Sequence, residues 1–301
     1  MPQGTVADEL ESILGPLARK IEPQLAAWLD DASIPAELAK AMRYAVLDGG
    51  KRLRPALVVL SAKAVATPDQ WRGDPMAAAA AIEMVHGYSL VHDDLPAMDD
   101  DDLRRGRPTC HVKFGEAMAI LAGDALLTRA FEAIVLGAAD KALAAEVVAE
   151  LAAAAGPAGM VAGQVADMGL CHVPEGEAGR SYIHRRKTGA LIRAAVRMGA
   201  LCAGADETAL AAVTEYGERI GLAFQIHDDL LDATASAEVI GKTPGKDAHA
   251  GKRTYATEME IDQARRLADE LTERACAALS PLGRRNRQLC RLARLLTRRQ
   301  K

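Results

Sequence analysis

A run of acidic residues follows an apolar segment about a third of the way along the chain. After His92, six aspartates occur within ten positions, at 93, 94, 99, 100, 101 and 102. Their carboxylates repel one another unless cations neutralise them, so the run is either a solvated surface or a ligand set. The apolar residues of 84–91 predict a helix that ends at Asp93 and Asp94, where the helix dipole disfavours carboxylates. A hard divalent cation such as Mg²⁺ would compensate, and we interpret the run as part of a metal site.

A second acidic motif lies more than a hundred residues later, at 225–232. Asp228 and Asp232 are four residues apart and therefore share one helix face, with Gln225 about one turn earlier. One D-D-x-x-D sequence is common on exposed helices and means little. Two such motifs, each embedded in an apolar helix, indicate a shared metal function.

Basic segments alternate with the acidic motifs. Gly49–Pro55 offers flexible backbone and three cations for phosphate, without the spacing of a P-loop. Arg104 and Arg105 follow the first acidic run, Lys187–Gly189 lies in an arginine-rich stretch, and 241–254 carries further cations. Each segment alone resembles an ordinary surface. Together they predict a diphosphate substrate, because carboxylates bind phosphate only through a metal while lysine and arginine hold the remaining oxygens.

The elements that position these residues are predicted to be helices. Aromatic residues make up only 3% of the chain, and alanine, the best helix former, is abundant. Apolar residues recur at helical spacing from Leu10 to Ile21, and we predict further helices at 58–65, 77–91, 116–138, 143–155, 158–171, 180–203, 207–232 and 258–279. Turn residues separate helices at 49–50, 67–68, 106–108 and 241–251. We find no alternating strand and expect one all-α domain over residues 1–301.

Composition argues against several classes of protein. The formal net charge of −4 is too small to predict a nucleic-acid partner, and we interpret the basic cluster Arg284–Lys301 as a solvated helix face. Five cysteines without metal spacing predict reduced thiols in a cytoplasmic protein. The longest uncharged stretch, 151–166, is broken at Gly156-Pro157 and is shorter than the ~20 residues of a membrane helix. We therefore predict no membrane span.

The motifs resemble those of the trans-isoprenyl diphosphate synthases (polyprenyl synthetases), specifically the bacterial farnesyl diphosphate synthase type. The similarity covers at least residues 40–260. It rests on G-G-K-R-L-R-P at 49–55, H-D-D-L-P-A-M-D at 92–99, R-R-G at 104–106, G-Q-x-x-D at 163–167, H-R-R-K-T-G-A-L at 184–191, F-Q-I-H-D-D-L-L-D at 224–232 and K-T-P-G-K-D at 242–247. The resemblance implies a single helical bundle with a central active-site cavity, in a cytoplasmic homodimer. It also implies head-to-tail condensation of isopentenyl diphosphate with dimethylallyl and geranyl diphosphate to farnesyl diphosphate.

The resemblance also assigns roles to single residues. The implied ligands of about three Mg²⁺ ions, with Mn²⁺ as an alternative, are Asp93, Asp94, Asp99, Asp228, Asp229 and Asp232. Isopentenyl diphosphate would be bound by Lys51, Arg54, His86 and Arg105. The allylic diphosphate would contact Arg104, Lys187, Thr188, Gln225, Lys242 and Lys252. Thr188 and Gln225 would lie near the developing carbocation, and with Lys187, Asp228 and the aspartates at 93, 94 and 99 they are the candidate catalytic residues.

Two further positions bear on product length. Ser89 is four residues before Asp93, so in a helix it lies one turn away on the same face. The family resemblance implies that Tyr88 forms the floor of the pocket for the growing chain. A tyrosine that packs only in the core is the alternative. We predict a fifteen-carbon product limited by Tyr88, with the small Ser89 above it.

Other classes of protein fit the motifs less well. A class I terpene cyclase usually has a mixed Asn/Ser/Glu second metal motif and no second diphosphate site, in contrast to Lys51 and Arg54 here. A squalene-type head-to-head synthase is disfavoured for the same reason. A non-catalytic regulatory subunit is expected to lack some metal ligands, whereas all six are present here. A general acidic metal-binding or interaction protein fits less well still. Diphosphate release that requires Mg²⁺ and both substrates separates these alternatives.

Overall fold

The computed structural model describes residues 5–47, 49–138, 140–234, 255 and 259–299. The helices are α1 (Val6–Trp28), α2 (Ala36–Leu47), α3 (Leu53–Val65), α4 (Met76–Asp93), α5 (Cys110–Phe114), α6 (Glu116–Gly137), α7 (Lys141–Ala155), α8 (Met160–Asp167), α9 (Gly176–His184), α10 (Ala190–Cys202), α11 (Glu207–Thr234), α12 (Ile261–Ala278) and α13 (Arg287–Leu296). A π-helical turn, Arg185–Gly189, joins α9 to α10, and 3₁₀ turns lie at Pro68–Gln70 and Ser280–Asn286. The two-residue strands β1 (Leu103–Arg104) and β2 (Arg107–Pro108) pair antiparallel.

The helices that carry the acidic motifs lie at the centre of the molecule. Helix α4 packs against α3 and α6, while α10 packs against α3 and α11. Small residues permit this close approach: a Cβ atom on Gly199 of α10 would lie 2.0 Å from the carbonyl oxygen of Val58 in α3. The Ser61 hydroxyl of α3 donates to the carbonyl of Val196 at 2.6 Å, so its buried polar group is satisfied. The alanine-rich composition thus supports closely packed helices.

The predicted all-α fold is confirmed, but helices α2 and α5 were not among the predicted segments, and three further local differences occur. Helix α8 ends at Asp167 rather than 171, because Gly169 adopts a left-handed conformation with φ of 69°. The helix predicted over 180–203 begins at Gly176 and contains the π-helical turn. The hairpin β1–β2 was not predicted, since strands of two residues are too short to produce an alternating pattern.

The stretch Lys141–Asp167 is long and apolar enough, by length and composition alone, to cross a membrane. In the fold it forms α7 and α8, which are separated at Gly156–Gly159 as the sequence predicted. Residues on one face of α7, including Leu143, Val147 and Leu151, are buried in the protein core. We therefore interpret the stretch as a pair of core helices.

Candidate active site

The first acidic motif wraps around the C-terminal end of α4. Asp93 is the last residue of the helix and Asp94 is its C-cap, as predicted. The backbone N–H of Asp99 donates to the carbonyl of Asp93 at 2.8 Å, and that of Asp101 donates to the carbonyl of Asp94 at 3.3 Å. These bonds satisfy carbonyls that a helix end leaves without partners. The run of aspartates is therefore folded back over the helix terminus instead of extending into solvent.

Asp93 lies in a position where its negative charge is poorly stabilised. Burial raises the pKa of Asp93 to about 6; Lys187 opposes this shift, and Asp99 and Asp94 add to it. A carboxylate whose pKa is raised in this way gains strongly from a nearby cation. The environment of Asp93 is thus suited to a metal ion or another positive group.

Asp94 and Arg104 bind each other. The Arg104 Nε lies 2.7 and 2.9 Å from the two carboxylate oxygens, and its Nη2 lies 2.5 Å from Oδ1. Asp94 is only 3% exposed. The hairpin β1–β2 places Arg104 beside the end of α4. At the turn of this hairpin, the Arg105 guanidinium donates to the carbonyl of Gly49 at 2.7 Å. A predicted metal ligand and a predicted diphosphate ligand therefore form one ion pair.

The second acidic motif lies on α11, as predicted, and two of its residues belong to a buried hydrogen-bond chain. The Thr188 hydroxyl donates to Gln225 at 2.8 Å, and the Gln225 amide donates to Asp229 at 2.9 Å. The other oxygen of Asp229 accepts from the backbone N–H of Tyr255 at 2.8 Å. Burial raises the pKa of Asp229 to about 7, although these two hydrogen bonds lower it. Asp229 thus connects Tyr255 to α11 by a hydrogen bond. Asp232, one turn further along the helix, is exposed.

Tyr255 is further held by two basic side chains. Its ring stacks on His184 with 5.5 Å between centroids, and the guanidinium of Arg180 lies 4.2 Å from its centroid. His184 Nε2 lies 3.7 Å from Asp229 Oδ2, and burial lowers the pKa of His184 to about 4. Arg180 and Tyr255 are each 2% exposed. No role for Arg180 or Tyr255 was predicted from the sequence; His184 within H-R-R-K-T-G was the only signal.

Asp228 pairs with a residue from the C-terminal end of the chain. Its carboxylate accepts a hydrogen bond from the Arg299 guanidinium, which also lies 4.2 Å from the centroid of the Phe224 ring. The Arg299 carbonyl lies 2.7 Å from His227 Nε2. The basic C-terminal cluster is exposed at arginines 284, 285, 287, 291, 294 and 298. The interpretation of a solvated face is therefore right for those residues and wrong for Arg299.

Lys187 belongs to the π-helical turn, which lies against α8. Its ammonium lies 2.6 Å from Asp167 Oδ2. A Cβ atom on Gly163 would lie 2.2 Å from the backbone nitrogen of Lys187, so only glycine permits this contact. The side-chain amide atoms of Gln164 are buried without a hydrogen-bond partner among the described residues. The G-Q-x-x-D motif thus positions Lys187 and leaves a polar group that a ligand can satisfy.

A basic cavity of about 650 Å³ lies beside the second acidic motif. Its lining includes the four residues predicted to bind isopentenyl diphosphate, together with Asp228 and Arg299; the four are Lys51, Arg54, His86 and Arg105. The Nε of Arg54 is buried without a partner in the described part of the chain, and burial lowers the pKa of Arg54. Burial and the surrounding arginines hold the pKa of His86 well below its usual range, so the imidazole is neutral. The cavity is suited to an anion.

The loop that supplies two of these cations is anchored by the arginine between them. Arg52 is 2% exposed and has a left-handed φ of 50°, which is unusual for a residue other than glycine. Its guanidinium lies 2.9 Å from Glu83 of α4 and 3.2 Å from Glu22 of α1. Arg52 is therefore structural, and it holds Lys51 and Arg54 at the cavity.

Tyr88 and Ser89 lie on α4 one to two turns before the first motif. Tyr88 is buried, its ring meets the His92 ring edge to face at 5.7 Å, and burial raises its pKa to about 12. Ser89 is half-buried and its hydroxyl donates to the carbonyl of His86 at 2.9 Å. Their role in product length remains a prediction, as does the central cavity.

Two predicted sites are only partly described. Lys242 and Lys252 lie outside the described residues. Within the described ranges, no group of three His, Cys, Asp or Glu side chains is close enough to hold a metal ion by protein ligands alone. Mg²⁺ commonly takes one or two carboxylates and completes its coordination with substrate phosphates and water.

Known proteins with similar sequences and structures identify the family. A profile of the polyprenyl synthetase family matches residues 35–281. The farnesyl diphosphate synthase of Escherichia coli (strain K12) is 49% identical over 253 residues, which cover 81% of this chain and 82% of that protein. The farnesyl diphosphate synthase of Geobacillus stearothermophilus is 45% identical over 267 residues, with coverage of 85% and 86%.

A solved structure agrees with the same assignment. The crystal structure of an FPP/GFPP synthase from Zymomonas mobilis has a TM-score of 0.83 at 35% identity and covers 97% of this chain and 100% of its own. The similarity therefore extends over the acidic motifs, the basic cavity and the helices that position them. The predicted family is confirmed: the chain belongs to the polyprenyl synthetase family.

Proposed function

We infer that the protein is a farnesyl diphosphate synthase, a prenyltransferase that condenses isopentenyl diphosphate with dimethylallyl and then geranyl diphosphate. The activity agrees with the prediction from the sequence and with the names of the bacterial relatives. The observation that carries it is the basic cavity beside Asp228, because a second diphosphate site distinguishes condensation from cyclisation. Lys51, Arg54 and Arg105 would hold the diphosphate of isopentenyl diphosphate there, with neutral His86 as a hydrogen-bond partner.

We propose Mg²⁺ as the metal, with about three ions per site and Mn²⁺ as a substitute. The donor set fits, because Asp93, Asp94, Asp99, Asp228 and Asp232 offer the oxygen ligands that Mg²⁺ prefers. The raised pKa of Asp93 supports the same assignment, since a cation would stabilise this buried carboxylate. Asp229 was also predicted as a ligand, and its two hydrogen bonds favour a positioning role instead. When bound, the ions would neutralise the charge that develops on the departing diphosphate.

The surrounding side chains support both binding and ionisation of the allylic substrate. Arg104 and Lys187, held by Asp94 and Asp167, would exchange these carboxylates for diphosphate oxygens. Lys242 and Lys252 of the sequence motifs complete the proposed set. Charge-assisted bonds to the leaving group are stronger once the carbon–oxygen bond breaks, so they lower the barrier rather than only the dissociation constant.

The allylic cation that remains requires a dry pocket with a few oriented dipoles. The Thr188 hydroxyl and the Gln225 carbonyl are fixed to each other and are proposed to lie near this cation. The alkene of isopentenyl diphosphate then attacks the cation, and the proton released afterwards passes to an oxygen of the departed diphosphate. No side-chain base is required, which agrees with a neutral His86 whose role is binding.

We further propose a cytoplasmic homodimer of single-domain subunits. All five cysteines are free thiols, as expected in a reducing compartment. Helix α6 exposes Ile120, Leu121, Val135 and Leu136, of which Leu136 is 65% exposed. A second copy of the chain would cover this apolar face. Light scattering coupled to size-exclusion chromatography tests the dimer, and a monomer at micromolar concentration would contradict it.

Product analysis tests the proposed function. The purified protein is incubated with Mg²⁺ and isopentenyl diphosphate plus either dimethylallyl or geranyl diphosphate, and the dephosphorylated alcohols are separated by chromatography. We expect farnesol as the main product from both, and no condensation after chelation of the metal. Product from an allylic diphosphate alone would instead indicate a cyclase, and a twenty-carbon main product would exclude the farnesyl assignment.

A further inference from the structure

Two cysteines on different helices face each other far from the acidic motifs in sequence. Cys276 lies in the last turn of α12, and Cys290 lies in the first turn of α13. The Cys276 thiol donates to the backbone carbonyl of Cys290 at 3.8 Å, and the Cys290 thiol donates to the carbonyl of Cys276 at 3.9 Å. This reciprocal contact brings the two side chains together where the helices meet.

Both thiols line an open cavity of about 740 Å³. Each cysteine is only 8% exposed, and the exposed part of each residue faces this cavity. Cys110 and Cys202 are buried elsewhere, and Cys171 is exposed. Cys276 and Cys290 differ from these three cysteines because they line a cavity and each lies beside another cysteine.

We propose that Cys276 and Cys290 form a dithiol site that is oxidised reversibly to an intramolecular disulfide by exchange with a small-molecule disulfide. The reciprocal contact places each sulfur within 3.9 Å of the backbone carbonyl of the other cysteine, and rotation of the two side chains would bring the sulfurs together. The proposal concerns a modification site and is independent of the prenyltransferase activity.

The surroundings of the pair favour attack by Cys290. A thiol in the first turn of a helix is stabilised as thiolate by the helix N-terminus. The interaction with the Cys276 side chain, and then the charge of Arg294, lower the pKa of Cys290, whereas the pKa of Cys276 is raised. Arg294 is held in place by two hydrogen bonds to Glu273, at 2.8 and 2.7 Å.

The thiol–disulfide exchange takes place in two steps. The Cys290 thiolate attacks one sulfur of the small disulfide, which forms a mixed disulfide and releases one thiolate that takes up a proton. Cys276 then loses its proton to solvent and attacks the Cys290 sulfur, which forms the internal disulfide and releases the second thiol. The protein thus loses two electrons and two protons, and the small disulfide is reduced to two thiols.

The disulfide would restrain the end of the chain. It would connect α12 to α13, and α13 ends three residues before Arg299, which contacts Asp228. The Thr297 and Thr272 hydroxyls, 3.4 Å apart, already link the same two segments. Oxidation would therefore stabilise the contact between the C-terminal segment and the rest of the fold.

The experiment measures disulfide formation in the folded protein. Wild-type protein and Cys171→Ser are equilibrated in glutathione buffers of increasing oxidation, quenched with acid, alkylated after unfolding, and analysed by mass spectrometry. We expect two fewer alkyl groups than on the reduced protein, a peptide that joins Cys276 to Cys290, full reversal by dithiothreitol, and a rise in Tm of about 5 °C. A glutathione adduct without closure, or no reaction at either cysteine, would overturn the proposal.

Four variants separate the steps. Cys276→Ser should stop at a mixed disulfide on Cys290, whereas Cys290→Ser should leave Cys276 unmodified. Cys202→Ser, a matched control at a buried cysteine, should close like wild type. Arg294→Gln should slow closure about threefold or more, because less Cys290 is ionised. Equal rates for Arg294→Gln and wild type would contradict the assignment of Cys290 as the attacking thiol.

Discussion

The guanidinium of Arg299 binds the carboxylate of Asp228, although the two residues are 71 positions apart in the chain. The same arginine lines the basic cavity together with Lys51 and Arg54. It therefore lies between a proposed metal ligand and a proposed diphosphate site. A cation that binds Asp228 must compete with Arg299, and a diphosphate in the cavity can attract Arg299 away from Asp228.

Removal of Arg299 should reveal both its competition with the metal at Asp228 and its contact with the diphosphate. Arg299→Ala is expected to raise the KM for isopentenyl diphosphate about tenfold, because a charge-assisted contact is lost. It should also lower the Mg²⁺ concentration that gives half-maximal activity, because Asp228 loses its competitor. Steady-state kinetics at varied Mg²⁺ measure both values. Arg298→Ala, at the exposed neighbour, serves as the control and should change neither; unchanged values for Arg299→Ala would exclude this role.

Substitution of one aspartate in either acidic motif should nearly abolish turnover without unfolding the protein. Asp93→Ala and Asp228→Ala are each expected to lower kcat about a thousandfold, since each removes a proposed Mg²⁺ ligand. Loss of Asp93 from its repelling group should leave Tm close to that of wild type, whereas loss of Asp228 removes the partner of Arg299 and should lower Tm while the protein stays folded. Asp262→Asn, an exposed aspartate on α12, is the control. Retention of more than about a tenth of wild-type kcat at saturating Mg²⁺ would contradict the metal assignment.

Arg54 should act on one substrate only. Arg54→Ala is expected to raise the KM for isopentenyl diphosphate about 10- to 100-fold and to change the KM for the allylic diphosphate much less. The physical reason is that its buried Nε has no partner among the described residues and can bind an anion that enters the cavity. Lys63→Ala, an exposed cation on the same helix, should have wild-type kinetics. Equal increases in both KM values would argue against two separate diphosphate sites.

Tyr88 and Ser89 should control product length. Tyr88→Ala is expected to shift products toward geranylgeranyl diphosphate or longer, because the proposed floor of the pocket is removed. Ser89→Phe should fill the pocket higher up and shift products toward geranyl diphosphate. Tyr88→Phe keeps the ring and should retain the fifteen-carbon product. Chromatography of the dephosphorylated alcohols decides the question, and the wild-type product from both substitutions would mean that other residues form the floor.

His184 and Asp229 should give opposite dependences of stability on pH. Burial lowers the pKa of His184 to about 4 and raises that of Asp229 to about 7. In Asp229→Asn, His184 remains, and the unfolded chain binds more protons than the folded one, so Tm should fall as pH decreases from about 6.5 to about 4. In His184→Gln, Asp229 remains, and the folded chain binds more protons, so Tm should fall as pH increases from about 4 to about 7.

Thermal denaturation in metal-free buffer measures these slopes. The two contributions oppose each other in the wild-type protein, which should therefore have a flatter profile than either variant over this range. Slopes of the same sign in the two variants would show that the pair does not titrate as described.

Part of the site follows from local sequence alone. The apolar residues of α4 and α11 have helical spacing, so the positions of Asp93 at a helix end and of Gln225 and Asp228 on one helix were predictable. The motifs around them were also enough to identify the family. These features depend on residues that are neighbours in the chain, and backbone geometry relates such neighbours in a fixed way.

Contacts between distant segments were decided by the tertiary structure. Nothing in the spacing of residues shows that Arg104 returns to Asp94, that Lys187 binds Asp167, or that Arg299 is buried beside α11 while Arg298 is exposed. Each partnership depends on how closely helices approach, as at Gly163, where the missing side chain allows α8 to meet the π-helical turn. The amino-acid sequence therefore determined which groups perform chemistry and on which helices they lie. Packing determined which charges neutralise each other, because long-range pairing is set by the combined burial of many side chains rather than by any local pattern.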